Sequence, residues 1–199
     1  MERNVPLAQP RRLRESAVLL ALYERDDAVQ LLFIKRTDRV GTHKGEIGFP
    51  GGRIEADDAS PLAAALREAE EEVGIPSGDV TPLGALPAVD TIVTGMLIFP
   101  FVARLVAPPT LIPSPFEVAE TIEVPLPHLL DPATYHEADR MIRGVRRRIF
   151  YYRYDAHEIW GATGRIVQLF LARLEAWDAR PPQVAWTLDD VAAALDATA

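Results

Sequence analysis

The stretch Phe49–Ile75, FPGGRIEADDASPLAAALREAEEEVGI, decides how the chain is read. Its second half carries every local signal of a helix. Ser60 is a hydroxyl N-cap, Pro61 suits a first turn that needs no backbone N–H, and Gly74 suits a left-handed stop. At about 100° per residue, Leu62, Ala65, Leu66, Ala69 and Val73 form one apolar stripe, which predicts packing against a sheet. The acidic run is the anomaly. Glu68, Glu70, Glu71 and Glu72 fall within five residues, where like charges three or four apart cost roughly 0.2–0.5 kcal/mol per pair. They also lie in the C-terminal half, where the helix dipole disfavours negative charge. Glu68 and Glu72 share one flank with Glu71 beside them, and these three are expected to converge, while Glu70 faces away into water. The flank position reads Glu72 as a surface residue. Arg67 pairs with Glu70 or Glu71 and helps to aim Glu71. Carboxylates with a backbone carbonyl are hard oxygen donors suited to Mg²⁺ or Mn²⁺, and with no His in the helix zinc is a poor match.

Outward from the helix, Gly41, Gly45, Gly48, Gly51 and Gly52 make a Gly-rich loop just before it. Two apolar runs, SAVLLALYE and VQLLFIKR, flank RDDA and predict a hairpin. TPLGALPAV, TGMLIFPFVARLV, FEVAETIEVPL and RRRIFYYRYD read as strands, with Pro100 marking an edge or bulge. GATGRIVQLFLARLEAW predicts an amphipathic helix, and TLDDVAAALDA a short terminal helix capped by Thr187. Strands and helices mix without a regular βαβ rhythm. That predicts an α/β fold, a mixed sheet covered by helices on both sides. The 199 residues suit one domain, 1–199, with a core of about 16–175 and terminal extensions.

Composition excludes several classes. A net charge of −8 with a pI near 5.0 argues against general nucleic-acid binding. Zero cysteines removes disulfides, thiolate nucleophiles and Cys-ligated zinc, and fits a cytoplasmic protein. No apolar run approaches the roughly 18–20 residues a membrane span needs, and MERNVPLAQPRRLRES carries no secretory signal.

The segment REAEEEVGI, Arg67–Ile75, resembles the second half of the Nudix hydrolase signature at every position. The first half departs slightly: five residues separate Gly52 from Asp58, where the family usually has Glu, and eight rather than seven then precede Arg67. Upstream, LLFIKRTDRVGTHKGEIGFPGG is similar to the motif of the coenzyme A pyrophosphatase branch at Leu31, Leu32, Arg36, Gly45, Phe49, Pro50, Gly51 and Gly52. Gly41 stands where that motif has a second Arg; Arg39 and Lys44 are the nearby cations. Downstream, HEIWGATGRI is also similar to that branch. Together the likeness runs over most of Ser16 to Leu174.

The resemblance implies a Nudix-type α/β/α sandwich and a metal-dependent pyrophosphatase. Mg²⁺ or Mn²⁺ would be held by Glu68, Glu71, Glu72 and the carbonyl of Gly51. Arg67, Glu71, Glu72 and Glu117 are the expected catalytic residues, with Glu120 the alternative base. Arg36, Lys44 and Gly52 are the expected substrate contacts, with Lys35 and Arg146–Arg148 as further phosphate candidates. His43 is read as a loop hydrogen bond rather than a catalytic group, and Trp160 as core rather than a stacking platform. The implied small-molecule substrate is coenzyme A. Other Nudix substrates (ADP-ribose, or dinucleotides such as NADH) and a non-catalytic binding module remain open here.

Overall fold

In the computed structural model, which describes residues 13–38, 45–91, 95–182 and 185–197, the predicted hairpin forms from β1 (Arg14–Arg25) and β2 (Ala28–Arg36). It turns at Asp26 and Asp27, with φ of 54° and 60°. A two-residue turn with both φ positive matches the twist of the flanking strands, and Asp tolerates that region better than most residues. Near the turn the two strands pair directly, then splay. The Gly-rich segment wedges between them: β3 (Ile47–Gly48) pairs with β2, β4 (Gly51–Arg53) pairs with β1, and Leu19 N–H donates to the Pro50 carbonyl at 2.8 Å.

Helix α1 (Pro61–Val73) is capped as expected. Ser60 Oγ accepts from Ala63 N–H at 3.1 Å, and Gly74 turns off at φ 72°. Then come β5 (Val80–Ala85), β6 (Val89–Thr91), β7 (Met96–Leu105) and β8 (Val118–Pro125), which runs into the short α2 (Leu126–Leu129). β7 lies parallel to β1 and antiparallel to β5 and β6, while β8 pairs antiparallel with β2, so the sheet is mixed. Pro100 sits within central β7 rather than at an edge. Its carbonyl accepts from Leu86 N–H, and its missing N–H falls on the same side, where the pairing passes from β5 to β6. β9 (Tyr135–Ile142), β10 (Val145–Tyr154) and β11 (His157–Ile159) form a second, antiparallel sheet. Helices α3 (Gly161–Glu175) and α4 (Leu188–Ala197) complete the chain, the latter capped by Thr187, which exchanges bonds with Asp190.

The expected α/β/α layering is present. Alternate residues of β1 face opposite ways: Leu20 and Leu22 pack with Val167, Phe170 and Leu174 of α3, whereas Leu19, Ala21 and Tyr23 pack with Ala65, Ala69 and Val73 of α1. The α1 face is turned from the predicted stripe. Ala64, Ala65, Ala69 and Val73 are buried together with Glu72, while Leu62 and Leu66 are only half-buried. Small side chains let the helix come close to the sheet, and the turn carries Glu72 inward. β9 carries no sequence signal, because YHEADRMI does not alternate: half-buried Tyr135, Ala138 and Ile142 and exposed Met141 are spread over both faces. Among the described residues no helix is long and apolar enough to cross a membrane.

Candidate active site

Glu72 is the correction that organises the site. It was expected at the surface, yet its side chain is 1% exposed. One carboxylate oxygen accepts from Gly51 N–H at 2.9 Å and the other from Arg36 Nη1, also at 2.9 Å. Burial pushes its carboxyl up to about 7 against the opposing pull of these two donors, and the charges of Glu68 and Glu117 add to the rise. Arg36 is thereby placed on the carboxylate helix, a partnership the one-dimensional spacing concealed.

The glycine pair has two separate reasons. At Gly51, with φ 153°, a Cβ would meet the Ala17 carbonyl oxygen at 2.4 Å and Val18 Cα at 2.7 Å, because β4 lies against β1. At Gly52 a Cβ would overlap the Glu68 carboxylate at 2.3 Å. The absence of a side chain there is a cradle that Glu68 fills. Burial raises the Glu68 carboxyl, opposed by Arg67 and reinforced by Glu71 and Glu117.

Arg67 joins more partners than its helix spacing offered. It donates to Glu68 at 2.9 Å, to Glu71 at 3.1 Å and to the Arg53 carbonyl at 3.1 Å, but not to Glu70. It also forks onto Asp58, through Nε at 3.1 Å and Nη2 at 3.2 Å. These bonds hold the Asp58 carboxyl below its usual range and raise the guanidinium above its own. The extra residue in the first half of the signature therefore does not detach Asp58. Asp58 Oδ2 also accepts from Glu55 N–H at 2.8 Å, closing the turn in which the longer spacer runs.

Residues 13–145 match the NUDIX domain family. The chain belongs to the Nudix hydrolases. It is 40% identical over 162 residues to an uncharacterised Nudix hydrolase, NudL, of Photorhabdus laumondii subsp. laumondii, covering 79% of this chain and 86% of that one. A NudL of Enterobacter sp. strain 638 is 41% identical over 157 residues, covering 78% and 80%. A MutT/nudix family protein from Enterococcus faecalis shares the fold, with a TM-score of 0.56 at 15% identity over 93% of this chain and 73% of that one.

A bulge sorts the two candidate bases of this Nudix chain. β8 shifts register against Lys35 and Arg36, so that Val118 lies opposite Arg36 on the α1 face while Glu120 lies opposite Lys35 on the α3 face. There Glu120 meets His157 Nε2 at 3.1 Å. Glu117 precedes the bulge in a loop tied to the end of α1, with Ser114 N–H on the Glu72 carbonyl at 2.8 Å, and to β2, with Thr37 N–H on the Glu117 carbonyl at 2.9 Å. Its charge acts on both Glu68 and Glu72.

The remaining expected residues divide clearly. Arg146 and Arg148 pair with Asp139, and Arg148 also with Glu137, so that these two members of the arginine run are tied to their own hairpin. Trp160, expected in the core, is 50% exposed. Lys44, Arg39, Gly41 and His43 lie outside the described residues.

The donor set of this Nudix site fits a hard divalent cation by its chemistry. Glu68, Glu71, Glu72 and Glu117 are carboxylates; after burial, the charges of Glu71 and Glu117 add to the rise at Glu68, and those of Glu68 and Glu117 to the rise at Glu72. Among the described residues they do not close into a group of three ligands. Arg67 stands between Glu68 and Glu71, and Glu71 is 56% exposed.

Proposed function

We propose that this Nudix hydrolase is a coenzyme A pyrophosphatase, releasing 4′-phosphopantetheine and adenosine 3′,5′-bisphosphate. One observation carries the reading. The segment that resembles the coenzyme A branch, Leu31 to Gly52, delivers both Arg36 and Gly51 to Glu72, so the substrate-type motif and the carboxylate helix meet at one carboxyl group. The whole chain acts as one cytoplasmic domain in this reading.

A bound Mg²⁺ or Mn²⁺ would lower the pKa of a bound water and neutralise charge developing on the diphosphate oxygens. Glu68, Glu71, Glu72 and the Gly51 carbonyl are the ligands we assign to it. Arg67 holds Glu68 and Glu71 at fixed separation and is itself anchored by Asp58. Glu117 takes the proton as water adds to one phosphorus and the bridging oxygen leaves with the other. Half-buried Arg36, and Gly52 beside Glu68, are the contacts we assign to the diphosphate; a guanidinium suits phosphate because it offers paired donors in a plane. Glu120, turned to the other face with His157, has no part in this step.

The test is incubation of the full chain with coenzyme A, NADH and ADP-ribose, each with Mg²⁺ or Mn²⁺, and identification of products by mass. Cleavage of coenzyme A at the diphosphate in preference to the other two supports the reading. Turnover of ADP-ribose or NADH alone moves the assignment to another Nudix substrate, and no turnover of any makes the chain a binding module.

A further inference from the structure

We propose that the outward face of the β9–β11 sheet binds the nucleotide end of the substrate, with an aromatic base on a row of rings and a phosphate on Arg140 and Arg147. The assignment rests on the coenzyme A reading, since it names where that substrate's distal end would lie.

Register builds the row. His136 on β9 lies opposite Tyr151 on β10, and Trp160 continues the β10–β11 register one residue past Ile159, again opposite Tyr151. Residues directly opposite share a sheet face, so the three rings stand side by side across three strands. They are plates in series: His136 and Tyr151 have centroids 4.6 Å apart at 5°, and Tyr151 and Trp160 are 6.4 Å apart at 18°. Trp160 ends the row and is 50% exposed, an unusual cost for the largest aromatic side chain. Planar rings ending in an exposed indole are what an aromatic base stacks on.

Four residues along β10, about 13 Å at 3.3 Å per residue, the same face presents Arg147 directly opposite Arg140. Like charges directly opposite destabilise a strand pair. Among the described residues neither arginine has an ion-pair partner, whereas Arg146 and Arg148, on the reverse face, are bound to Asp139 and Glu137. In a chain of net charge −8, an uncompensated cationic pair beside exposed rings is complementary to an anion with an aromatic end. Ile149 and Ala138 face each other in the interval and give it an apolar floor.

The row also ends at the right place. Trp160 directly precedes α3, whose Thr163 Oγ1 donates to the Ile47 carbonyl at 2.9 Å, and β11 lies against β3. The row therefore ends near the Ile47–Gly48 strand, whose chain runs on to Gly51, the partner of Glu72.

The full chain would be titrated in EDTA with adenosine 3′,5′-bisphosphate, adenosine and inorganic phosphate, reading tryptophan fluorescence and, in parallel, heat of binding. Trp177 and Trp186 neighbour each other at 6.0 Å in the C-terminal region, so a quench from the row disappears in Trp160→Leu alone. The bisphosphate is expected to quench and to bind more tightly than adenosine. Trp160→Phe should keep most of the calorimetric affinity, and Trp160→Leu should lose it. Arg140→Ala with Arg147→Ala should weaken the bisphosphate about ten- to a hundredfold while sparing adenosine. An undiminished quench in Trp160→Leu, parental affinity in the double arginine variant, or no bisphosphate binding by the parent each overturns the subsite. Bisphosphate binding at this face by a chain that does not cleave coenzyme A would uphold the subsite and sink the coenzyme A reading alone.

Discussion

Two sets of arginine–carboxylate pairs, one at α1 and one on the β9–β10 hairpin, differ in burial. On α1, Arg36 meets a Glu72 side chain that is 1% exposed, and Arg67 meets an Asp58 side chain that is 6% exposed. On the β9–β10 hairpin, Arg146 and Arg148 are 74% and 57% exposed and reach Asp139 from water. A charge taken out of water must be compensated by its neighbours, and removing one partner of a buried pair costs several kcal/mol. An exposed pair gains little Coulomb energy and orders two long side chains for it. The same residue types are therefore locked into a buried network in one place and left on an exposed hairpin in the other.

The largest test of that contrast is Glu72→Gln. The amide keeps one acceptor oxygen, so one of the two donors, Gly51 N–H or Arg36, would face an NH2 group, and the charge is gone. Turnover should fall by more than the roughly 10–100-fold typical of losing a partner that only orients a metal ligand. Saturating Mg²⁺ or Mn²⁺ should not restore it, whereas Glu70→Gln, exposed on the far side of α1, should turn over as the parent does. Near-parental activity in Glu72→Gln would reduce α1 to an ordinary acidic helix.

How much of this was legible in the sequence follows from the same division. The caps of α1 are local chemistry, and Ser60 and Gly74 perform as their residue types predict. The apolar run of β1 and the run of Arg67–Ile75 are likewise local. The depth of Glu72 is not. It depends on alanines that let α1 turn and approach, and on Gly51 and Arg36 arriving from a segment at least 21 residues away in sequence. Glu117 and Glu120 look equivalent in sequence, since only the bulge opposite Lys35 and Arg36 assigns them to opposite faces. β9 shows no alternation in sequence because its outward face mixes His136 and Arg140 with Ala138 and Ile142, and the stacked row of His136, Tyr151 and Trp160 is a product of its register.

Next in size come the two glycines, which should fail differently. Gly51→Ala places a methyl against β1 backbone at a φ of 153°, so roughly 2–5 kcal/mol of stability should be lost, combining overpacking with backbone strain. At Gly52→Ala the three nearest atoms all belong to the end of the Glu68 side chain, which can swing away. Its thermal midpoint should stay near the parent's, and its activity should fall about 10–100-fold because Glu68 is displaced. Equal melting temperatures for the two would break the account of the pair. Asp58→Asn should have a smaller effect that depends on pH. The folded carboxyl is held below its usual value near 3.8, so its contribution is present above that pH and is lost as pH falls through the lower, folded value. The gap in melting temperature between parent and Asp58→Asn should thus be open at pH 7 and close in strong acid. A gap that persists unchanged there would assign the stabilisation to something other than the ionised Asp58–Arg67 fork.

The smallest effect belongs to the exposed set. Arg146→Ala removes a guanidinium that is 74% exposed and paired only within its own hairpin. The guanidinium no longer has to be held in one geometry, and the Asp139 left behind keeps Arg148 and water. The expected loss is below about 1 kcal/mol. That loss should shrink further in 1 M salt, where screening acts over about 3 Å. Because the side chain lies on the reverse face from Arg140 and Arg147, turnover should match the parent's. Arg36→Ala is the paired measurement: it leaves Glu72 buried with Gly51 N–H as its remaining bond, so it should cost more stability and resist salt. If Arg146→Ala proved as costly as Arg36→Ala, or if its cost ignored salt, burial would not be what separates the two arginine sets.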